Sequence, residues 1–232
     1  MGRYSTPEEV KKEHLDKLGP DFGPTYHALW NECYRLHLKW QQYKELYGTN
    51  PERIDLLNNA AKLFFFVVEE SLWQDILLHL SALTDPPELR KRNKKNLTIC
   101  QLPTLVAKGD FQKVVRRAVN TARKKSEFAR EWRNRKYVHR DLALAIQIGA
   151  EPLPAASRLK VQEAIDAVSE VIKEINIHYF NSDIGFDLIH EPEGGLDLLY
   201  LLRDGLDMRV ERRERLRRGK AHPTDLKPLK PI

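Results

Sequence analysis

The stretch from Pro51 to Asp85 leaves few folds open, because its pattern is helical and it is apolar on nearly every side. Ile54, Leu57, Ala61, Phe65, Val68 and Leu72 recur at spacings of three and four and form one stripe. Phe66, Trp73, Leu77 and Leu80 cover the opposite side. A helix with no polar face belongs at the centre of a bundle, surrounded by other helices. Its longest apolar run, Leu63 to Val68, is closed by Glu69-Glu70 and is too short to span a bilayer.

The flanking sequence supplies those other helices. Thr6-Pro7-Glu8-Glu9 has the form of a capping box with proline at the first helical position, and this short helix ends near Gly19-Pro20. A second helix follows Gly23-Pro24, with Tyr26, Leu29, Trp30, Cys33, His37, Trp40 and Tyr47 on one buried face. Asn50 caps the apolar helix with Pro51 at its first position, and Pro86-Pro87 ends it. A basic connection, Arg90 to Lys95, leads into Asn96-Leu97-Thr98.

From Asp110 to about Lys136 a long helix carries the stripe Phe111, Val114, Val115, Ala118, Val119, Ala122, Ala129 and Trp132. After the break at Gly149 to Pro154, Ser157 caps a further helix through Val161, Ile165, Val168, Ile172 and Ile175. Gly194-Gly195 then precedes an apolar patch and a highly charged stretch from Arg209 to Lys220. No segment alternates with period two. The expected class is all-α, a bundle of about five to seven helices over residues 1–190, with a C-terminal helical extension and proline-containing tail over 191–232.

Charge narrows the range of partners. The chain has a net charge of +6, which favours polyanions. Cys33 and Cys100 have neither CxxC spacing nor clustered histidines, which argues against a zinc site and a secreted disulfide framework. The polar N-terminus lacks the apolar core of a signal peptide, so the expected compartment is the cytoplasm. Met1 to Thr6 fits the permissive myristoylation pattern, but nothing else points to a membrane. Without a phosphate-cradling glycine loop, GxSxG or HExxH, the sequence calls for no cofactor and no metal.

One constellation can carry chemistry: Trp132-Arg133-Asn134-Arg135-Lys136-Tyr137-Val138-His139-Arg140-Asp141. Histidine moves protons near neutral pH, and arginine offers a fixed charge matched to phosphate. Together they suffice to cleave RNA without metal. His139 would assist the 2′-hydroxyl or protonate the leaving oxygen, and Arg133 would stabilise the phosphate charge. On a straight helix six residues rotate about 120° out of alignment, so the pair would splay roughly 60° to either side of the apolar stripe. They converge only if the helix distorts near Tyr137-Val138, or if a second subunit brings its own pair. The spacing itself is cheap, since Arg215 and Arg217 precede His222 in the same way. A solvated basic face at a helix end is the plain alternative.

The segment resembles the HEPN superfamily, and in particular its abortive-infection branch of phage-defence and toxin-like proteins. The hallmark of that superfamily is Arg, often with a polar neighbour, then His after four to six positions. Arg133, Asn134 and His139 match it with five intervening residues. Trp40…Leu46-Tyr47, Leu57-Asn58…Phe64-Phe65, Leu83-Thr84-Asp85 and Asn96-Leu97-Thr98 also look like that branch, and the likeness covers about residues 25–180.

The resemblance implies a homodimer and a metal-independent endoribonuclease, a toxin or phage-defence effector whose Arg133 and His139 form a composite site at the dimer interface. It also implies RNA as substrate and an antitoxin or companion defence protein as a further partner. Asn134 and Tyr137 would support the site, and Asp141 would orient His139 or cap the next helical turn. Arg135, Lys136, Lys124 and Lys125 are the candidate RNA-binding cations. Some members of the superfamily are non-catalytic, so a helical module binding RNA or protein through the same dimer groove is the alternative.

Other polar residues invite weaker readings. Asp75 and His79, one turn apart on the apolar helix, either face the site or are satisfied at a helix edge. Trp30, Trp40 and Trp73 lie on helical stripes and read as core, not as base-stacking platforms.

Overall fold

The computed structural model describes residues 6–48, 50–88, 95–186 and 194–226. Eight α-helices occur among them: α1 (Pro7–Tyr47), α2 (Pro51–Leu83), α3 (Leu102–Leu105), α4 (Asp110–Lys125), α5 (Glu127–Trp132), α6 (Leu142–Ile146), α7 (Arg158–Phe180) and α8 (Gly195–Arg217). A single β-bridge, Glu88 to Lys95, is present and no strand, so the class is all-α among the described residues. Five helices are long and three are single turns or little more, and the chain divides into two compact units.

The first unit comprises residues 1–40 and 72–189, and α7 runs through its core. Val161, Ala164, Ile165, Val168, Val171, Ile172 and Ile175 repeat at three and four, and all are fully buried. Each such Val or Ile contributes about 1.5–3 kcal/mol by leaving water. The same unit also buries Tyr26, Leu29, Cys33, Leu36 and Trp40 of α1, Ile76, Leu77, Leu80 and Leu83 of α2, and Val115, Val119 and Ala122 of α4.

Polar groups inside this core are paired, as buried donors must be. The Trp40 indole donates to Gln162 Oε1 (2.5 Å), and the Tyr26 hydroxyl lies 3.3 Å from Asn176 Oδ1. Ser169 Oγ donates to the Ile165 carbonyl (2.9 Å) and so accepts from His37 Nε2 (2.5 Å).

The N-terminal turns depart from the expected boundary. The second helical run of α1 begins at Pro20, not after Gly23-Pro24, and the only non-helical residue is Gly19 (φ 79°, ψ 176°). That left-handed conformation favours glycine. It folds residues 7–18 back onto Gly23, where a Cβ would stand 2.8 Å from Leu15 Cα.

His14 is sealed beneath this hairpin, ringed by Tyr26, Trp30 and Phe180, with its Nδ1 3.1 Å from His27 Nδ1. Burial, then the neighbouring His27, lowers its pKa to about 4. Between about 4 and the ordinary histidine value of 6.5, the unfolded chain binds a proton at this position that the folded chain refuses, so stability falls as pH drops through that window. Denaturant midpoints measured at pH 7 and pH 5 should therefore differ less in His14→Phe than in the wild type; equal differences would dismiss the effect.

The second unit comprises residues 41–71 and 190–232. Asn50 caps α2 as expected, accepting from Arg53 N (3.0 Å), and the Tyr47 hydroxyl donates to the Phe65 carbonyl (3.0 Å). α8 begins against α1, with Gly195 N donating to Gln42 Oε1 (2.6 Å) and Leu196 N lying 3.3 Å from Glu45 Oε2, a carboxylate placed at a helix N-terminus. The expectation that the all-round apolar middle of α2 sits at the centre of a bundle fails here. Leu63, Phe64, Phe66 and Val67 are exposed, by 80% in the case of Leu63, whereas Leu57 and Phe65 are buried in this unit and Ile76, Leu77, Leu80 and Leu83 in the first. The helix also breaks at Ala61, an extended residue (φ −161°, ψ 72°), so its two halves need not share one buried face.

Candidate active site

The predicted long helix from Asp110 to Lys136 is not continuous. It is interrupted at Ser126 (φ −94°, ψ 5°), resumes as α5, and then widens into a π-turn over Arg133–Tyr137. The widening is marked by Val138 N donating to the Arg133 carbonyl five residues back (2.8 Å), followed by Asp141 N to the Arg135 carbonyl (3.0 Å). Such turns recur at functional sites. Tyr137-Val138 are the residues at which helix propensity falls. His139 thus leaves the helix, and the straight-helix register that splays it from Arg133 does not apply.

Arg133 is held from two sides. Its Nη1 forms an ion pair with Asp85, and its Nε donates to Asn134 Oδ1 (3.0 Å). Asp85 itself is fixed by the end of α2. Thr98 Oγ1 sits 2.8 Å from both the Leu83 and Asp85 carbonyls, and Arg130 Nη1 donates to the Thr84 carbonyl (3.1 Å) and hydroxyl (3.0 Å). Thr84 and Thr98 are fully buried, so these bonds form away from competing water. Both carbonyls would otherwise be orphans of the helix C-terminus.

The rest of the motif is anchored to the loop that follows. Trp132 Nε1 donates to the Pro154 carbonyl (2.8 Å), and Arg135 Nη2 to the Glu151 carbonyl (2.6 Å). Arg135 Nε also lies 3.6 Å from Asp141 Oδ2. The other Asp141 oxygen accepts from Leu144 N (3.2 Å) and caps α6. Of the two roles open to Asp141, the cap is the one present, and no hydrogen bond links it to His139 within the chain. Tyr137 packs on Trp132 at 5.9 Å between ring centres, and Lys136 Nζ stands 4.7 Å above the Trp132 ring.

His139 is the opposite case. It is exposed, with no hydrogen bond, ion pair or ring contact to any of the described residues. Around it in sequence, Val138, Leu142, Ile146 and Ile148 are exposed by 59, 73, 53 and 71%. Four large apolar side chains within eleven residues of sequence are thus exposed around the histidine. The helix pair Asp75 and His79 forms a separate network with α1: Lys39 Nζ is 2.6 Å from Asp75, and His79 Nε2 is 3.0 Å from Glu32 Oε2 but off the hydrogen-bond direction. Burial and the Lys39 charge lower the His79 pKa.

The remaining candidates separate clearly. Lys125 pairs with Glu163 at 3.6 Å, whereas Lys124 is exposed and has no ion pair among the described residues. In the tail, Arg215 makes a two-point contact with Asp225 (2.9 and 2.9 Å), which commits its guanidinium and holds the Asp225 carboxyl well below the usual range. Arg215 is thus engaged by a carboxylate as Arg133 is, so ion pairing does not separate the two spacings. Of the basic connection Arg90 to Lys95, all but Lys95 lies outside the described residues.

A family model for AbiU2 HEPN proteins matches residues 19–197, more than half of the chain and further at both ends than the motif likeness. The chain belongs to the AbiU2 family of the HEPN superfamily, in its abortive-infection branch. No curated protein and no solved structure matches it significantly. Membership gives the Arg133…His139 spacing a context that Arg215…His222 lacks, because the matched span contains the first and stops before the second. Asp85, the residue that holds Arg133, was not singled out from the sequence. Its only signal was its place in Leu83-Thr84-Asp85 at the end of the apolar helix.

No described helix is long and apolar enough to cross a membrane.

Proposed function

We propose that this HEPN protein is a metal-independent endoribonuclease, a toxin or phage-defence effector acting on RNA in the cytoplasm, with Arg133 and His139 of two copies forming one composite site. The carrying observation is the contrast within the motif. Arg133 is fixed at a π-turn by Asp85, while His139 is unpaired among the described residues, beside an exposed apolar surface.

The chemistry asks for this division. A 2′-oxygen attacks the adjacent phosphorus, its proton passes to a base, and the P–O5′ bond breaks as an acid protonates the leaving oxygen. The products are a 2′,3′-cyclic phosphate and a 5′-hydroxyl, with no co-reactant consumed. One histidine cannot be base and acid in the same instant. Two copies facing across Val138, Leu142 and Ile146 supply one of each, with Arg133 against the developing phosphate charge. An antitoxin or companion protein that silences the enzyme belongs to the same reading.

A second reading has its own support. The charges of Arg133 and Arg135 are already engaged by Asp85 and Asp141, which suits a non-catalytic module that binds RNA or protein through the same groove. The purified protein, incubated with a broad RNA panel in excess EDTA, separates the two. The proposal expects cleavage with cyclic-phosphate ends. RNA binding without cleavage on every substrate would favour the module, and cleavage only with added magnesium would overturn the metal-independent mechanism.

A further inference from the structure

α4 buries Val115, Val119 and Ala122 on one face and turns a wholly polar face outward. On that outer face Arg116, Arg117, Arg123 and Lys124 are all exposed and have no ion-pair partner among the described residues, while Lys113 is matched by Asp110 (2.8 Å). At 100° per residue these four cations fall within an arc of about 120°, with Asn120 between them. They span eight residues, roughly 12 Å of helix axis. Glu127 closes the stripe one turn later.

We infer that this face of α4 is a phosphate rail that binds single-stranded RNA beyond the cleavage site, so that the protein acts on extended RNA and grips it by its backbone. The inference rests on RNA being the substrate. Four cations outnumbering the single carboxylate on the stripe, and in no ion pair among the described residues, make a surface whose natural complement is a polyanion. The choice of RNA over an anionic membrane follows from what the face lacks. Helices that lie on membranes insert Trp, Phe or Leu beside their cations, and no large apolar side chain of α4 is among the exposed ones. Side chains here reach phosphates, not bases, so the grip should be indifferent to sequence.

The rail is close to the motif along the chain. Arg133 follows Lys124 by nine residues, at most about 14 Å of helix axis. That corresponds to roughly four stacked nucleotides at about 3.4 Å each. An RNA of three nucleotides seated at Arg133 and His139 is therefore too short to reach Arg116 and Arg117, while one of fifteen is long enough.

The test replaces three rail residues together, Arg116→Gln, Arg117→Gln and Arg123→Gln. All are exposed, so circular dichroism and the unfolding midpoint should match the parent. Binding of a fluorescent 15-nucleotide RNA is measured against salt in a His139→Ala background, which keeps the RNA intact. The rail predicts binding weaker by roughly ten- to a hundredfold at 0.1 M salt, and a log–log salt slope shallower by about 2, from three lost contacts at about 0.7 each.

In the wild-type background the triple variant should cleave a trinucleotide at the parental rate and the 15-mer more slowly at low concentration. Unchanged affinity and slope would overturn the rail whether or not the protein is a nuclease. Equal losses on the trinucleotide and the 15-mer would overturn it by placing these residues at the cleavage site. Loss of binding to phosphatidylserine vesicles with RNA binding intact would overturn the RNA assignment. If no RNA is cleaved at all, the cleavage proposal fails and the binding measurement still decides the rail.

Discussion

His139→Ala lowers RNA cleavage by about 10²–10⁴-fold, the usual cost of losing a positioned acid or base, and leaves the fold as it was. The second half of that expectation comes from the surroundings of the side chain. His139 is exposed and makes no hydrogen bond among the described residues, so truncating it creates no cavity and strands no buried partner there. Its effect on stability should stay within about 0.5 kcal/mol, as for other surface substitutions.

Activity and stability therefore separate at this residue more cleanly than at Arg133, whose loss also strands Asp85. Two readouts check it together: the rate of cyclic-phosphate formation in EDTA, and growth of a bacterial host expressing either form. The variant should restore growth that the wild type arrests. Cleavage at the wild-type rate with alanine at this position would remove His139 from the mechanism and, with it, the composite site.

The sequence showed its helices where one face alone was buried. Along α7 the residues Val161, Ile165, Val168, Ile172 and Ile175 are spaced for a helix, and every one is fully buried. Tyr26, Leu29, Cys33 and Trp40 on α1 behave in the same way. Where apolar residues surround the helix, periodicity carries no information about which part is covered. Leu63, Phe64, Phe66 and Val67 are more apolar than much of the core, yet they are exposed.

Breaks were legible only where glycine or proline made them. Gly19 lies next to the expected stop. Ala61 and Ser126 interrupt helices without any such residue, and the π-turn at Arg133 depends on bonds to Pro154 and Glu151 that no local pattern encodes. For the site, Arg133 and His139 were readable as types at a spacing. What engages Arg133 and Arg215 was not, because it lies in the partners: Asp85 stands 48 residues before Arg133, and Asp225 has already claimed Arg215.

Asp85→Asn should divide binding from catalysis. In the wild type the Asp85 carboxylate does two things to Arg133 at once: it aims the guanidinium, and it offsets the charge that a phosphate would meet. Both side chains are mostly covered, at 25% exposure for Arg133 and 18% for Asp85, so the pair is screened less than a surface pair would be. The Asp85 backbone stays where Thr98 holds it, and the amide is close to the carboxylate in shape.

Removing the charge frees Arg133 for RNA. Affinity should rise, and the log–log salt slope should steepen by about 0.7, the value of one added phosphate contact. The loosened guanidinium no longer waits where the phosphate charge develops, and kcat should fall by roughly 10–100-fold, the scale of an ångström of misplacement. A stability loss of about 1–3 kcal/mol accompanies it, from a charged group left with a weaker partner. The signature is thus a split, with a lower KM and a lower kcat in the same variant. Were Asp85 merely a structural tie, kcat would follow the folded fraction and affinity would not improve. Were it only a competitor for Arg133, affinity and kcat would rise together. The rigid anchoring of Asp85 by Thr84, Thr98 and Arg130 favours the split, because a residue that only had to compete for Arg133 would not need to be held so firmly.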